Sequence, residues 1–318
     1  MALTPGTDQA AEPAPFARLL PGDHACWFFR SAREQRAGVR AFVRQGLDRH
    51  GKVLYLADTM PPPGVADDLR LAGLDPDRLV ARGQLLLHAP EADPALGPDA
   101  AAARQVALYR ELIARALAEG YRGGLWITGD ATAALLGGAE AAARGLAYER
   151  LVERFLAGTR HARSLCQFNA AALQPAAAEE LRWLHNLELS QQAVLRSLDR
   201  GAGAAVTGMA VSGEIDVASW APLAAALRRA VARAGRGQQV LLDLTELAFI
   251  DGHGVGLIVE AARALGPARR LLLRGAPPSL LRIAEVLRLE REPLRFVDAD
   301  GGGDDRDPDE VEGGDGDR

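Results

Sequence analysis

The sequence predicts a layered α/β protein built from two domains, and three observations carry that prediction. Short apolar runs alternate with amphipathic helical stretches along most of the chain. The 318 residues are enough for about two domains at ~150 residues each. With 48% apolar and 25% charged residues, the composition is that of an ordinary globular protein and excludes wholesale disorder and fibrous classes.

In the first half the expected strands are Cys26–Phe29, Val53–Ala57, Gln84–His88, Leu125–Thr128 and Ser164–Phe168. The helices between them are Arg33–His50, Gly64–Ala72, Ala100–Glu119 and Ala139–Ala157. A turn at Asp75-Pro76 precedes the third strand, and Gly120 stops the helix before the fourth. Leu181–Ser190 reads as helical, and residues 187–203 are expected to form a helical connector. The second unit then runs as strand Ala204–Val211, turn Ser212-Gly213-Glu214, helix Ala218–Ala234 and strand Val240–Leu244. It closes with a glycine turn at Asp251–Gly254, helix Val255–Ala264, strand Leu271–Arg274 and helix Pro278–Leu289. Residues 1–18 and 298–318, poor in apolar side chains, are expected to be disordered tails.

Charge and cysteine content narrow the function classes. Residues 298–318 carry ten Asp/Glu and two Arg, so the net −5 of the chain leaves about +3 on the body, which is no basic nucleic-acid footprint. No run approaches the ~18 apolar residues of a membrane helix. The first fifteen residues lack the basic start and apolar run of a secretory signal. Two cysteines, Cys26 and Cys166, make no disulfide framework, and a cytoplasmic location is expected.

The most informative stretch runs Leu241-Leu242-Asp243-Leu244-Thr245, then Phe249-Ile250-Asp251-Gly252-His253-Gly254-Val255-Gly256. It reads as a buried strand, a tight glycine turn and a helix starting at the turn. A helix N-terminus presents unpaired N–H groups that suit a phosphate or acidic partner. The same glycines also serve a plain strand-to-helix turn. With Gly213-Glu214-Ile215-Asp216 upstream and Arg274-Gly275-Ala276 downstream, residues 204–297 resemble a STAS domain, the fold of anti-sigma factor antagonists. The resemblance implies a partner-binding turn at Asp251, Gly252, His253 and Gly254. In that family the turn reads Asp-Ser-Ser/Thr-Gly, and a partner kinase phosphorylates a serine to release the antagonist. Here Gly252 and His253 stand at the hydroxyl positions, so the serine switch is absent.

In the first half, Arg30-Ser31-Ala32-Arg33-Glu34-Gln35-Arg36 follows the opening strand without a GxxxxGK[ST] phosphate loop, so P-loop ATP hydrolysis is not expected. Asp23-His24-Ala25-Cys26-Trp27-Phe28-Phe29, Leu54-Tyr55-Leu56-Ala57-Asp58 and Ile127-Thr128-Gly129-Asp130 resemble the MEDS sensory domain of methanogens and methylotrophs. So do Tyr148-Glu149, Leu165-Cys166-Gln167-Phe168 and Leu184-His185-Asn186, and the resemblance spans residues 19–186. It implies a RecA/KaiC-like three-layer fold without a working phosphate loop, and the sensing of a small molecule or cellular state.

The candidate sensor pocket consists of His24, Cys26, Asp58, Asp130, Glu149, Cys166 and His185. His24 and Cys26 are i, i+2 on a strand and share a face. Cys166 on the last strand and His185 on the next helix join them only if those elements adjoin. The chain lacks CxxC or HxxxH spacing, so no metal or other cofactor is assigned, and the cysteines are expected to be buried packing residues. Asp58 and Asp130 end strands where open α/β sheets bind ligands, and helix capping serves them equally well. The expected function is that of a non-enzymatic signalling protein. A small-molecule input at the first domain would alter binding of an anti-sigma factor or related regulator, with no nucleic-acid or membrane contact. The alternatives are a STAS-based scaffold, or an enzyme using His24, Asp130 and Glu149 as acid/base groups.

Overall fold

The computed structural model describes residue 16 and residues 18–57, 62–88, 98–190, 192–198, 207–235, 238–266, 269–289 and 292–297. The amino-terminal unit contains β1 (His24–Phe29), α1 (Ala32–Asp48), β2 (Lys52–Leu56), α2 (Pro62–Leu71), α3 (Pro76–Ala81) and β3 (Leu85–His88). It continues with α4 (Pro98–Ala118), β4 (Leu125–Asp130), α5 (Ala133–Leu136), α6 (Ala139–Ala157), β5 (Ala162–Asn169) and α7 (Pro175–Leu184). Its strands lie parallel in the order β1-β5-β4-β2-β3.

The period-2 alternation of side chains along these strands explains the layering. Val53, Tyr55 and Trp126 face one way, against Val39, Phe42 and Val43 of α1 and Val65 and Leu69 of α2. Their neighbours Leu54, Leu125 and Ile127 face the other way, against Val106, Tyr109 and Leu112 of α4 and Val152 and Leu156 of α6. Helices therefore cover both faces of the sheet, giving three layers. Ser31 starts α1 by accepting from Glu34 N at 3.2 Å, and Asp75 starts α3 by accepting from Arg78 N at 3.0 Å. Gly124 enters β4 at φ +68°, where a Cβ would stand 2.1 Å from the His161 carbonyl oxygen, so only glycine fits.

Two short strands follow α7, namely β6 (Leu187–Leu189) and β7 (Ala193–Ser197). The expected helical connector is therefore corrected to a β-hairpin. The backbone of β6 pairs in parallel with β1 and antiparallel with β7, which supplies the hydrogen bonds a helix would have made internally. Leu187 and Leu189 join the core beside α1, while Glu188 between them is buried and held by Arg182 at 2.8 Å and Arg229 at 3.2 Å. A three-residue strand is too short to show its own period, and the helical pattern came from the preceding α7.

The carboxy-terminal unit comprises β8 (Thr207–Ile215), α8 (Trp220–Arg233), β9 (Val240–Asp243), β10 (Leu247–Ile250) and α9 (Gly252–Ala264). After these come β11 (Leu271–Arg274), α10 (Pro278–Leu287) and β12 (Leu294–Val297). Because β7 also pairs antiparallel with β8, one sheet runs β12-β11-β9-β8-β7-β6-β1-β5-β4-β2-β3, with β10 paired to β8. The two units thus share one 12-stranded sheet joined through the hairpin.

Three local expectations are corrected. Ser212-Gly213-Glu214 is not a turn but part of β8; Gly213 sits at φ +88°, where a Cβ would meet Gln192 O at 2.1 Å. The irregularity opposite it belongs to β10, where Leu247 and Phe249 pair with the consecutive residues Gly213 and Glu214, and the glycine reads as a turn in sequence because tight turns also use a positive φ. The run expected as one buried strand is divided into β9 and β10, and α9 begins at Gly252 rather than Val255. Phe16, placed in the tail by sequence, is buried edge-on against Trp27 at 5.7 Å and Phe42 at 6.5 Å. Arg18 of the same expected tail is also described, its carbonyl accepting from Arg196 Nη2 at 3.0 Å, whereas residues 1–15, 17 and 298–318 lie outside the described residues. No helix among the described residues is long and apolar enough to cross a membrane.

Candidate functional site

The parallel register of β1 and β5 sets Cys26 beside Cys166 and His24 beside Ser164. Side chains at His24, Cys26, Ser164 and Cys166 therefore project to the face away from α1, toward α6 and α7. Glu149 comes from the inner face of α6, and His185 from the residue that ends α7. The result is a buried polar cluster of His24, Glu149, Cys166 and His185, whose donor atoms all lie within 4.8 Å of one another.

Its contacts are specific. His24 Nε2 lies 3.2 Å from Glu149 Oε2 and 3.3 Å from Cys166 Sγ, while its Nδ1 is 3.2 Å from Glu153 Oε2. Cys166 Sγ donates to Glu149 Oε2 at 3.5 Å. The His185 ring lies 4.0 Å from that of His24, and its Nδ1 donates to the Leu181 carbonyl at 2.7 Å. Its Nε2 stands 3.5 Å from Glu149 Oε2, yet is buried and makes no hydrogen bond. Apolar side chains of Leu135, Leu146, Phe168 and Leu181 wall the cluster.

The electrostatics follow from burial and these neighbours. Burial disfavours the charged His24 ring, but Cys166, Glu149 and Glu153 outweigh it and raise His24 well above the usual histidine range. Burial pushes Glu149 up, yet the hydrogen bond and charge of His24 outweigh it and leave Glu149 below the usual carboxylate range. Burial together with the charge on His24 pushes His185 down to about 3, so its ring is neutral. Burial and Glu149 raise the Cys166 thiol. The cluster therefore combines an imidazole pair, a thiol and a carboxylate, a set suited to holding a proton or a cation.

Four of the seven expected pocket residues meet here. Cys26 is buried beside them without entering the contact set, and burial followed by Glu188 raises its thiol well above the usual range. Asp130 is held elsewhere, accepting from Gln35 Nε2 at 3.1 Å and Thr132 N at 2.9 Å, a local turn role. Asp58 lies outside the described residues. Sequence reasoning missed Glu153, although it stands one helical turn after Glu149 on α6, where an i, i+4 count would have found it.

The second expected site is the turn before α9. Asp251 caps α9, its carboxylate accepting from Gly254 N at 2.8 Å. Trp220 Nε1 donates to both Asp251 oxygens at 3.1 and 3.0 Å, and the Trp220 ring lies 4.1 Å from that of His253. Gly252 and His253 are exposed on the first turn, and Gly254 is buried against Ile215 and Ile250. Nothing in the local sequence pointed to Trp220, which comes from α8.

The family model for MEDS, the methanogen/methylotroph, DcmR sensory domain, matches residues 23–186, just over half of the chain. The chain belongs to the MEDS family. The matched span begins one residue before His24 and ends one after His185, and its two ends are tied together. His24 N donates to Asn186 Oδ1 at 2.7 Å, and Asn186 Nδ2 donates to Asp23 Oδ1 at 3.1 Å. A second model, described as Mlab, STAS domain, matches residues 198–297. A MEDS domain fused to a STAS domain fits a signalling regulator. No curated protein matches the chain. Among solved structures, the chain is similar to the uncharacterized protein PH0321 from Pyrococcus horikoshii, crystallised in complex with an unknown peptide. That likeness has a TM-score of 0.45 and 10% identity, over 56% of this chain and 83% of the other.

Proposed function

We propose that the protein is a non-enzymatic, cytoplasmic, sensor-coupled regulator. The state of its MEDS unit sets how its STAS unit engages a partner protein, an anti-sigma factor or related regulator. The observation that carries this reading is the shared sheet. His185 of the buried cluster ends α7, Asn186 follows, and the chain enters β6, which with β7 joins the two units edge to edge. A change that favours one packing of the cluster therefore acts on the strands against which the STAS unit is built. Such an input works as a population shift, limited by how much better one arrangement binds it than another.

On the STAS side, the rim of the turn supports partner binding. Phe249 is 46% exposed and Val217 is 70% exposed, next to the paired ends of β10 and β8. The turn carries no hydroxyl between Asp251 and Gly254. A serine phosphate of about −2 charge at this position, the usual release signal of the antagonist family, therefore has no acceptor. The test is binding of the purified protein to kinase-type anti-sigma factors of its host, with ADP and then with ATP. The reading expects binding that persists under ATP with no phosphate mass gain. Failure to bind any of them overturns the antagonist assignment.

A further inference from the structure

We propose that His24, Glu149, Cys166 and His185 form a binding site for a single borderline transition-metal ion of the Zn²⁺ class. The inference goes beyond the regulator reading and stands whether or not the STAS unit binds a partner.

Geometry is the first ground. Around a tetrahedral ion with bonds of ~2.0–2.3 Å, neighbouring donor atoms lie about 3.3–3.8 Å apart. Four donor pairs already lie within or just below that spacing: His24 Nε2 to Glu149 Oε2 at 3.2 Å and to Cys166 Sγ at 3.3 Å, and Glu149 Oε2 to His185 Nε2 and to Cys166 Sγ at 3.5 Å each. All four residues are buried, with donor atoms within 4.8 Å of one another, so only small shifts are needed to close on one ion.

The second ground is His185. Its Nδ1 faces the Leu181 carbonyl at 2.7 Å, an acceptor only, so Nδ1 carries the proton. With Nδ1 so occupied, Nε2 faces Glu149 Oε2 at 3.5 Å and is buried without a hydrogen bond. An orphaned buried ring nitrogen is costly, and an ion set between it and the Glu149 carboxylate would give both a partner.

The surroundings supply the third ground. Metal-bound histidines usually tie their other ring nitrogen to a carboxylate or backbone carbonyl, which fixes the tautomer and aims the ligating atom. Both patterns are present: Glu153 Oε2 at 3.2 Å from His24 Nδ1, and the Leu181 carbonyl on His185 Nδ1. Leu135, Leu146, Phe168 and Leu181 exclude water around the cluster. Two imidazoles, a thiolate and one carboxylate select a borderline ion over Mg²⁺ or Ca²⁺, which take oxygen ligands. Four protein ligands leave no open position, as in structural rather than catalytic sites. Binding forms a metal–sulfur bond and releases the Cys166 thiol proton to solvent, with no change of oxidation state.

The test uses the full chain expressed with zinc in the medium. Metal analysis should find close to one zinc per chain. Exchange for Co²⁺ should give the visible bands of a tetrahedral ion and a near-ultraviolet thiolate-to-cobalt charge-transfer band. Cys166→Ser should remove the charge-transfer band, and Cys26→Ser should leave it unchanged. Glu153→Gln, which touches no metal, should weaken Co²⁺ affinity about 10–100-fold. Zinc far below one per chain, or a cobalt spectrum without the charge-transfer band, overturns the proposal and leaves a hydrogen-bonded cluster. A band that survives in Cys166→Ser overturns it too, because Cys26 is the only other thiol. Should Cys166→Ser not fold, the wild-type spectrum and the Glu153→Gln affinity decide.

Discussion

Replacing Arg229 by Met tests whether the seam between the two units is a stabilised interface. Arg229, on α8 of the STAS unit, reaches Glu188 of β6 at 3.2 Å and Glu179 of α7 at 3.5 Å. Glu188 is 4% exposed and the Arg229 side chain 8% exposed, so neither charge has water to fall back on. Methionine keeps the apolar stem and removes only the guanidinium. Removing one partner of a fully buried ion pair costs about 3–5 kcal/mol because the remaining charge is uncompensated. Here Arg182 still holds the other Glu188 oxygen at 2.8 Å, so the loss is that of one charged hydrogen bond, about 1.5–3 kcal/mol. Equilibrium urea unfolding followed by tryptophan fluorescence and far-UV circular dichroism reads it, and the two signals should lose stability together because the sheet is continuous. A loss below about 0.5 kcal/mol, the range of ordinary surface substitutions, would refute the argument and show that the seam is hydrated or loosely packed.

Three further outcomes are expected. Asp251→Ala should cost about 1–2 kcal/mol in chemical denaturation, by removing the α9 cap and the Trp220 acceptor, whereas Asp251→Asn keeps a capping side chain and should stay within about 0.5 kcal/mol. Gly124→Ala should cost at least about 2 kcal/mol in the same assay, because the residue needs a left-handed φ and its new methyl meets a backbone carbonyl. The third concerns acid stability. Burial pushes the Asp243 carboxyl up, but hydrogen bonds from Arg274 at 2.6 Å and Thr245 outweigh it and hold it below the usual carboxylate range. A carboxylate whose folded pKa is depressed stabilises the fold above its unfolded pKa and loses that contribution as pH falls through the folded value. Asp243→Asn should therefore flatten the acid limb of a thermal-melt pH profile and leave its shape near neutrality unchanged.

Much of the fold is readable residue by residue. Alternation along Val53-Leu54-Tyr55 and Leu125-Trp126-Ile127 marks strands buried on both faces, and the structure divides those side chains between the α1 and α4–α6 layers. Asp251 before Gly252 is a local cap signal, and it caps α9. The MEDS and STAS resemblances rest on contiguous motifs, and the family matches over residues 23–186 and 198–297 agree with them. The connector was misread because Leu187-Glu188-Leu189 is too short for a period and its hydrogen-bond partners lie on β1 and β7.

What the sequence determined by itself is whatever depends on near neighbours: the strand and helix periods, the caps, the missing hydroxyl at Gly252 and His253, and the identity of the two units. The tertiary structure alone decided the convergence of His24, Glu149, Cys166 and His185, and the fusion of two units into one sheet. The physical reason is the same in both cases. A parallel strand finds its partner only after a crossover connection, so the register that sets Cys26 beside Cys166 and Ala25 beside Leu187 is a property of packed layers. No spacing along the chain encodes it.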